Sequence, residues 1–430
     1  MLRLRHIGKF NIRIARFASQ PTSSIPDLPD IVPPKPQAGK PIEKEIEFKE
    51  ETIELVEDMT IEKWDLKSSL PESIGKVFSI SESIMERFPS ASASSYLNKQ
   101  FKLTANSGLL FRASSHSLLN ELDSDSSKVS DRTILLCKRL LSLAGARGSG
   151  KSATMFQMVN HYANNGYIVL YFPKLSEWTS GIFSYESVGE TYHQPELACK
   201  LLQTVLTANE SHLKKLKAPD GKTSMADFVS AGSKNPRISH QTLMEFLDNV
   251  FKSTDRPKIL LALDQINAIF TNTAYCDKDS NPLTADKFAI AAKFHSLLQT
   301  ELTNAARLIA VDNSVTQIKS PYLEIISNKA HSLNKDPLRL NVQKYQKVPA
   351  EELDAILPRA TLNNGFPDIQ IKNLQNYVIP ALDKPETLGI LDFYRKTSVL
   401  RQASVDEDYV KKQWMVSQGN ALELFKASTL

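Results

Sequence analysis

Two textures of hydrophobic patterning divide this chain. Between about Thr133 and Val348, short and nearly continuous apolar runs alternate with stretches that are apolar on one side only. Leu140–Leu143, Tyr167–Phe172, Ile259–Leu263 and Arg307–Val311 read as strands. Ser152–Asn164, Pro195–Leu206 and Gln241–Phe251 carry their apolar residues at helical spacing, with Met155, Phe156, Val159 and Tyr162 on one side of the first. A strand that is apolar at consecutive positions is buried on both faces, as in a parallel sheet sandwiched by helices. Before this region, Trp64–Asn106 reads as helical: Leu70-Pro71 opens one helix, and Ile74, Val77 and Phe78 form its apolar face. Ser124–Ser130 is a polar loop. Beyond Val348 the strand signals fade into a helix-rich segment.

The N-terminus has another character. Residues 1–20 hold Arg3, Arg5, Lys9, Arg13 and Arg16 with no acid, and Leu2, Ile7, Phe10, Ile14 and Phe17 are spaced among them. An amphipathic, arginine-rich, acid-free start has the composition of a mitochondrial transit peptide, and residues 1–18 are assigned as one. The alternative is a basic arm that binds nucleic acid. Seven of the 22 prolines then fall between Pro21 and Pro41. That density forbids both helix and ladder pairing, so residues 19–60 read as an extended linker whose second half is acidic.

The expected organisation follows: linker to residue 60, an N-terminal helical region over 61–130, a nucleotide-binding domain over 131–347, and a C-terminal helical or lid domain over 348–430. The formal charge of +4 dissolves on inspection: it combines +5 in residues 1–20, −6 in Ile42–Asp58 and +5 from Met59 onward. Basicity alone therefore does not argue for RNA contact. The three cysteines, Cys137, Cys199 and Cys276, form no CxxC pair, which fits reduced thiols and excludes a cysteine-built zinc site. No run of 18 apolar residues suggests a membrane span.

One motif carries chemistry. Gly145-Ala146-Arg147-Gly148-Ser149-Gly150-Lys151-Ser152 fits G-x-x-x-x-G-K-[ST], with an apolar strand before it and an amphipathic helix after it. Glycines let the backbone wrap a phosphate with its N–H groups inward, and the following helix adds the positive end of its dipole. Lys151 then reaches the β- and γ-phosphates, and the Ser152 hydroxyl ligates Mg²⁺. A dinucleotide fingerprint is excluded, because position 153 is alanine. The strand Ile259–Leu263 ends in Asp264, placed to hold Mg²⁺ through water. Gln265 occupies the position of the glutamate base of hydrolysing P-loop ATPases of this layout. A carboxamide cannot take a proton from water, so no catalytic residue is assigned and hydrolysis is expected to be slow or absent without outside help. Asn313 or Ser314 is a candidate γ-phosphate sensor, and Arg147 either touches phosphate or faces solvent. No N-K-x-D element is found, so base preference is not readable from motifs. The fold class expected is an α/β P-loop NTPase of AAA+/STAND-like type.

These residues resemble the death-associated protein three family, the P-loop proteins of the mitochondrial small ribosomal subunit. The likeness is carried by Gly145–Ser152, by Tyr167–Pro173 ending near Trp178, by Gln194-Pro195, by Leu261–Ala268, and by Ser417-Gln418-Gly419-Asn420-Ala421. It implies a constituent of the head of the mitochondrial small subunit, in the matrix. The implied partners are small-subunit ribosomal RNA, neighbouring ribosomal proteins and, near the subunit interface, the large subunit. It also implies a bound purine nucleotide, GTP or GDP, with ATP the alternative, and Mg²⁺. Gly145, Ala146, Arg147, Gly148, Ser149, Gly150, Lys151, Ser152, Asp264 and Gln265 would form that site, with Ser152 and Asp264 at the metal. Two other readings stay open on sequence: a free mitochondrial ATPase or nucleotide switch, and a matrix RNA-binding factor that visits the ribosome.

Overall fold

The computed structural model describes residues 61–64, 71–89, 95–127, 140–252, 258–300, 302, 305–310, 374–400 and 404–429. The basic N-terminus, the proline-rich and acidic linker, Cys137, Asn313 and Ser314 lie outside them. Five parallel strands form the centre: β1 (Leu140–Ala144), β2 (Ile168–Phe172), β3 (Ile259–Asp264), β4 (Ala305–Ala310) and β5 (Leu374–Val378). Their order across the sheet is β5-β1-β4-β3-β2. Every residue of β2, β3 and β4 is buried, which is why these strands lack polar alternation in the sequence.

The side chains of each strand divide between two cores. Ile168, Leu170, Phe172, Ile259, Leu261, Leu263 and Ile309 face one side. There they meet α3 (Pro195–Leu213), α4 (Met225–Lys234), α5 (Pro236–Lys252) and α6 (Ala289–Gln299). Leu141, Leu143, Val169, Tyr171, Leu260, Ala262 and Leu308 face the other. That face is covered by α1 (Ala113–Ser127), α2 (Lys151–Asn164) and the residues before them. The period of two along each strand is the ordinary consequence of the pleat.

Three expectations from the patterning are corrected. Val77 and Phe78 are not on a helix: Val77–Ser79 is a strand paired antiparallel with Gly108–Leu110, Val77 opposite Leu110. Pro71–Ser73 makes only a short 3₁₀ turn. Gly75, at φ +85°, ends it, and its N–H donates to Phe111 O. The second correction is that residues 124–127, expected in a loop, complete α1; serine and aspartate lower helix propensity only modestly. The third is β5. It lies where strand signals fade, because Gln375 and Asn376 interrupt its apolar pattern. Among the described strands it has the single neighbour β1. An edge strand tolerates such residues.

After β5 come α7 (Lys384–Lys396), α8 (Glu407–Ser417) and α9 (Ala421–Thr429). Leu382, Leu391, Val410 and Leu424 form a small core among them. The start of α7 is legible locally: Asp383 caps the N-terminus and Glu386 completes a capping box, with Pro385 in the first turn.

At the other edge of the sheet, the outward-facing peptide groups of β2 are finished by a side chain. Asn209 departs from helical geometry within α3 (φ −131°, ψ 16°). Its Oδ1 accepts the Val169 N–H at 2.8 Å and its Nδ2 donates to Val169 O at 2.9 Å. Asn209 is fully buried, so an apolar substitute leaves one donor and one acceptor unpaired in the core. Asn209→Leu is expected to cost roughly 2–4 kcal/mol, read as a lower urea midpoint at unchanged slope.

Candidate functional site

The loop Gly145–Gly150 leaves the C-terminal end of β1 and delivers the chain into α2 at Lys151. β1 lies between β4 and β5, and the chain runs from β1 to β2 on one side while β5 sits on the other. Such a reversal opens a crevice at the carboxyl edge of a parallel sheet. Gly145, Gly148 and Gly150 have φ of +141°, +81° and +102°, values at which other residues are strained. Ala310 of β4 is level with Leu143 on one side and with Asp264 on the other. The register thereby brings the start of the loop and the acid to the same edge.

Across that edge the Ser152 hydroxyl donates to Asp264 Oδ2 at 2.5 Å, joining residues 112 apart. Asp264 is 5% exposed and Lys151 8%. The Lys151 ammonium donates to Gly145 O at 2.9 Å and Ala146 O at 3.0 Å, which keeps it folded against the loop. Ser149 Oγ is buried with no hydrogen-bond partner among the described residues. Burial, followed by the nearby Asp264 carboxylate, pushes the Tyr171 hydroxyl well above its usual range, so it stays protonated. Ala146 and Arg147 are exposed.

Gln265 sits beside the pair but faces elsewhere. Its backbone is left-handed (φ +61°), its N–H donates to Asp264 Oδ1 at 2.8 Å, and its Oε1 accepts from Ser176 Oγ at 2.5 Å. Ser176 belongs to the 3₁₀ turn Leu175–Thr179 that follows β2. A side-chain oxygen engaged in this way is a fixed acceptor, and it has no proton-transfer chemistry of its own.

Patterning did not reveal the residues that hold the loop from outside. Arg112, 4% exposed, donates Nη1 to Ser149 O at 2.9 Å and Nη2 to Pro380 O at 2.9 Å and Ala381 O at 3.1 Å. Its Nε and Nη2 also meet Glu386 Oε2 at 3.0 and 2.9 Å. Asn420 Nδ2 donates to Arg147 O at 2.7 Å, and the Leu422 N–H donates to Gly148 O at 3.3 Å. Asp383-x-x-Glu386 is visible as a helix cap. Its bond to an arginine 274 residues earlier has no local signature.

The donor set suits an anion and a hard cation: glycine-loop amides at a helix N-terminus, a buried ammonium, and a hydroxyl against a carboxylate. Among the described residues no group of three or more His, Cys, Asp or Glu side chains gathers as a metal cage, and no helix is long and apolar enough to cross a membrane.

Fold and site together define a class: an α/β protein built on a five-stranded parallel sheet, with a glycine loop, a lysine–serine pair and a strand-end aspartate at one edge. The chain belongs to the family described as mitochondrial ribosomal death-associated protein 3, which matches residues 109–427, and its setting is the mitochondrion. Small ribosomal subunit protein mS29 of Schizosaccharomyces pombe is 27% identical over 304 residues, covering 66% of this chain and 61% of that protein. The protein of the same name from Neurospora crassa is 22% identical over 306 residues, covering 67% and 62%. That of Bos taurus is 21% identical over 193 residues, covering 41% and 49%. The chain thus spans less than two thirds of the length of each of these relatives.

Proposed function

We propose that this chain is a structural component of the mitochondrial small ribosomal subunit that holds a purine nucleotide with Mg²⁺ as part of its fold. The observation that carries the nucleotide half is the Ser152–Asp264 contact at the mouth of the glycine loop. A P-loop NTPase of AAA+/STAND type needs its loop serine and its strand-end acid together, and β4 lies between β1, whose loop leads to Ser152, and β3, which ends in Asp264. Gly145, Ala146, Arg147, Gly148, Ser149 and Gly150 form the cradle. Lys151 supplies positive charge for phosphate, and Ser152 and Asp264 would hold Mg²⁺. When bound, the metal would offset the negative charge of the phosphates. GTP or GDP is the nucleotide favoured, with ATP the alternative.

Turnover at such a site is expected to be slow or absent without outside help. Gln265 stands where a base would be needed, and its carbonyl oxygen is occupied by Ser176. A ligand held without hydrolysis still stabilises: at 100 times its dissociation constant it adds about 2.7 kcal/mol to the folded state. The ribosomal half rests on the relatives, which are small ribosomal subunit proteins by name. Small-subunit ribosomal RNA, neighbouring ribosomal proteins and the large-subunit interface are the partners this reading gives the chain.

The test is sedimentation of a mitochondrial lysate through a high-salt gradient. The chain is expected to travel with small subunits. A free pool that hydrolyses nucleotide would favour a soluble switch and defeat the structural reading.

A further inference from the structure

The peptide groups of the loop are accounted for in an unusual way. An anion-binding loop must turn its N–H groups inward, which leaves its carbonyls facing out and in need of donors. Lys151 serves Gly145 O and Ala146 O, and Ala146 O also accepts the Ser149 N–H at 3.2 Å. The next three carbonyls are served from elsewhere in the chain: Arg147 O by Asn420, Gly148 O by the Leu422 N–H, and Ser149 O by Arg112.

These outer donors are themselves joined. Arg112 holds the carbonyls of Pro380 and Ala381. The next residue, Leu382, donates its N–H to Gly419 O at 2.6 Å and accepts the Trp414 indole N–H at 2.7 Å. Gly419, at φ +68°, would place a Cβ 2.5 Å from Leu382 O, so the turn closes on this strand exit only with glycine. A Cβ on Gly148 would likewise collide with Asn420 Oδ1. The C-terminal turn is seated on the back of the loop.

We infer that Arg112 and the turn Ser417–Leu422 are positioning elements of the phosphate loop, and that nucleotide binding and the docking of α9 are thermodynamically coupled. This rests on the nucleotide reading above and adds its regulation. The differential interaction is specific. The Ser149 N–H already donates to Ala146 O at 3.2 Å, so an anion that accepts the N–H groups of Gly148 and Gly150 acts on the peptide units whose outward carbonyls are Arg147 O and Ser149 O, and makes those two better acceptors. Asn420 and Arg112 therefore bind the occupied loop more strongly than the free one, and the Leu422 amide follows through the Asn420 side chain whose Oδ1 it donates to. By reciprocity, a turn that cannot donate weakens the nucleotide.

Two measurements on the full chain test it. Hydrogen exchange at Leu422 reports through Asn420, because its N–H is shared between Gly148 O at 3.3 Å and Asn420 Oδ1 at 3.0 Å. Saturating GDP with Mg²⁺ should slow exchange over residues 422–424 about tenfold. Asn420→Asp, which replaces a donor with an anion facing Arg147 O, should weaken GDP binding about tenfold or more. Lys426→Ala, which removes an exposed pair with Glu423 on the same helix, should leave affinity unchanged. GDP that binds the wild type yet leaves exchange over 422–424 unaltered overturns the coupling while the nucleotide reading stands. So does an Asn420→Asp chain that binds GDP as tightly as wild type. If that variant fails to fold, the wild-type exchange decides alone. A wild type that binds neither GDP nor GTP is a different result and removes both readings.

Discussion

Lys151→Ala is expected to strip the site of nucleotide. Its ammonium is buried within the loop and reaches two loop carbonyls. Alanine therefore removes both the charge that faces phosphate and a brace across the turn. A charge-assisted hydrogen bond to a buried partner is worth about 1.5–3 kcal/mol. An ammonium that exchanges these carbonyls for phosphate oxygens would make bonds of that kind to the nucleotide, so its loss is expected to lower affinity by about a hundredfold or more. Lys151→Arg should not restore it, because a planar fork does not replace a compact ammonium at the loop mouth. Calorimetry with GTP and GDP measures the drop, and circular dichroism of the same sample shows whether the fold persists. Nucleotide affinity within about twofold of wild type, less than a 0.5 kcal/mol effect, would contradict the assignment of the lysine.

The second large effect is on stability. Glu386 is 3% exposed and accepts from Arg112 through Oε2, while Oε1 takes the Ala113 N–H at 3.3 Å. The same carboxylate closes the capping box of α7. Glu386→Ala leaves a guanidinium buried without its counter-charge, and breaking a buried pair in this manner costs about 3–5 kcal/mol. Arg112→Met with Glu386→Leu removes both charges together and is expected to recover much of that loss, since no uncompensated ion remains. Urea unfolding of the two variants separates the cost of a stranded charge from that of lost packing. A Glu386→Ala midpoint matching that of wild type would show that the pair does not hold the loop to the C-terminal helices.

The sheet was legible in the sequence to the degree that burial was uniform. β2 was expected from Tyr167 and begins at Ile168, and β3 extends one residue further, through Asp264. Continuous apolar runs have one physical explanation in a chain that alternates them with helices. β5 failed the same test: Leu374-Gln375-Asn376-Tyr377-Val378 sits at an edge where one side has no partner strand among the described residues, so its composition is not constrained to be apolar. Val77 and Phe78 misled because three residues are too few to distinguish a period of 2 from 3.6.

The site divides similarly. Gly145–Ser152 and Asp264 stand out because a phosphate site would call for these residue types at these spacings, and the register of β1, β4 and β3 sets them level. Gln265 directly follows Asp264 in the sequence, but its bond to Ser176 depends on a turn 89 residues away. Arg112 has no signature at all: an arginine before a helix gains its role only when β5 and α7 arrive from the far end of the chain. Asn420 stood in the sequence as part of a family likeness, and its hydrogen bond to the Arg147 carbonyl supplies a physical reason for an asparagine there.

On the function proposed, the glycine loop retains a purine nucleotide as a structural ligand. The most direct measurement is to denature the protein isolated with native mitochondrial small subunits and to quantify the released nucleotide by anion-exchange chromatography, beside the Lys151→Ala variant. A purine nucleotide is expected in equimolar amount with the wild-type chain, and its loss from the variant. Wild-type protein free of purine nucleotide, or a variant that carries as much, would contradict it.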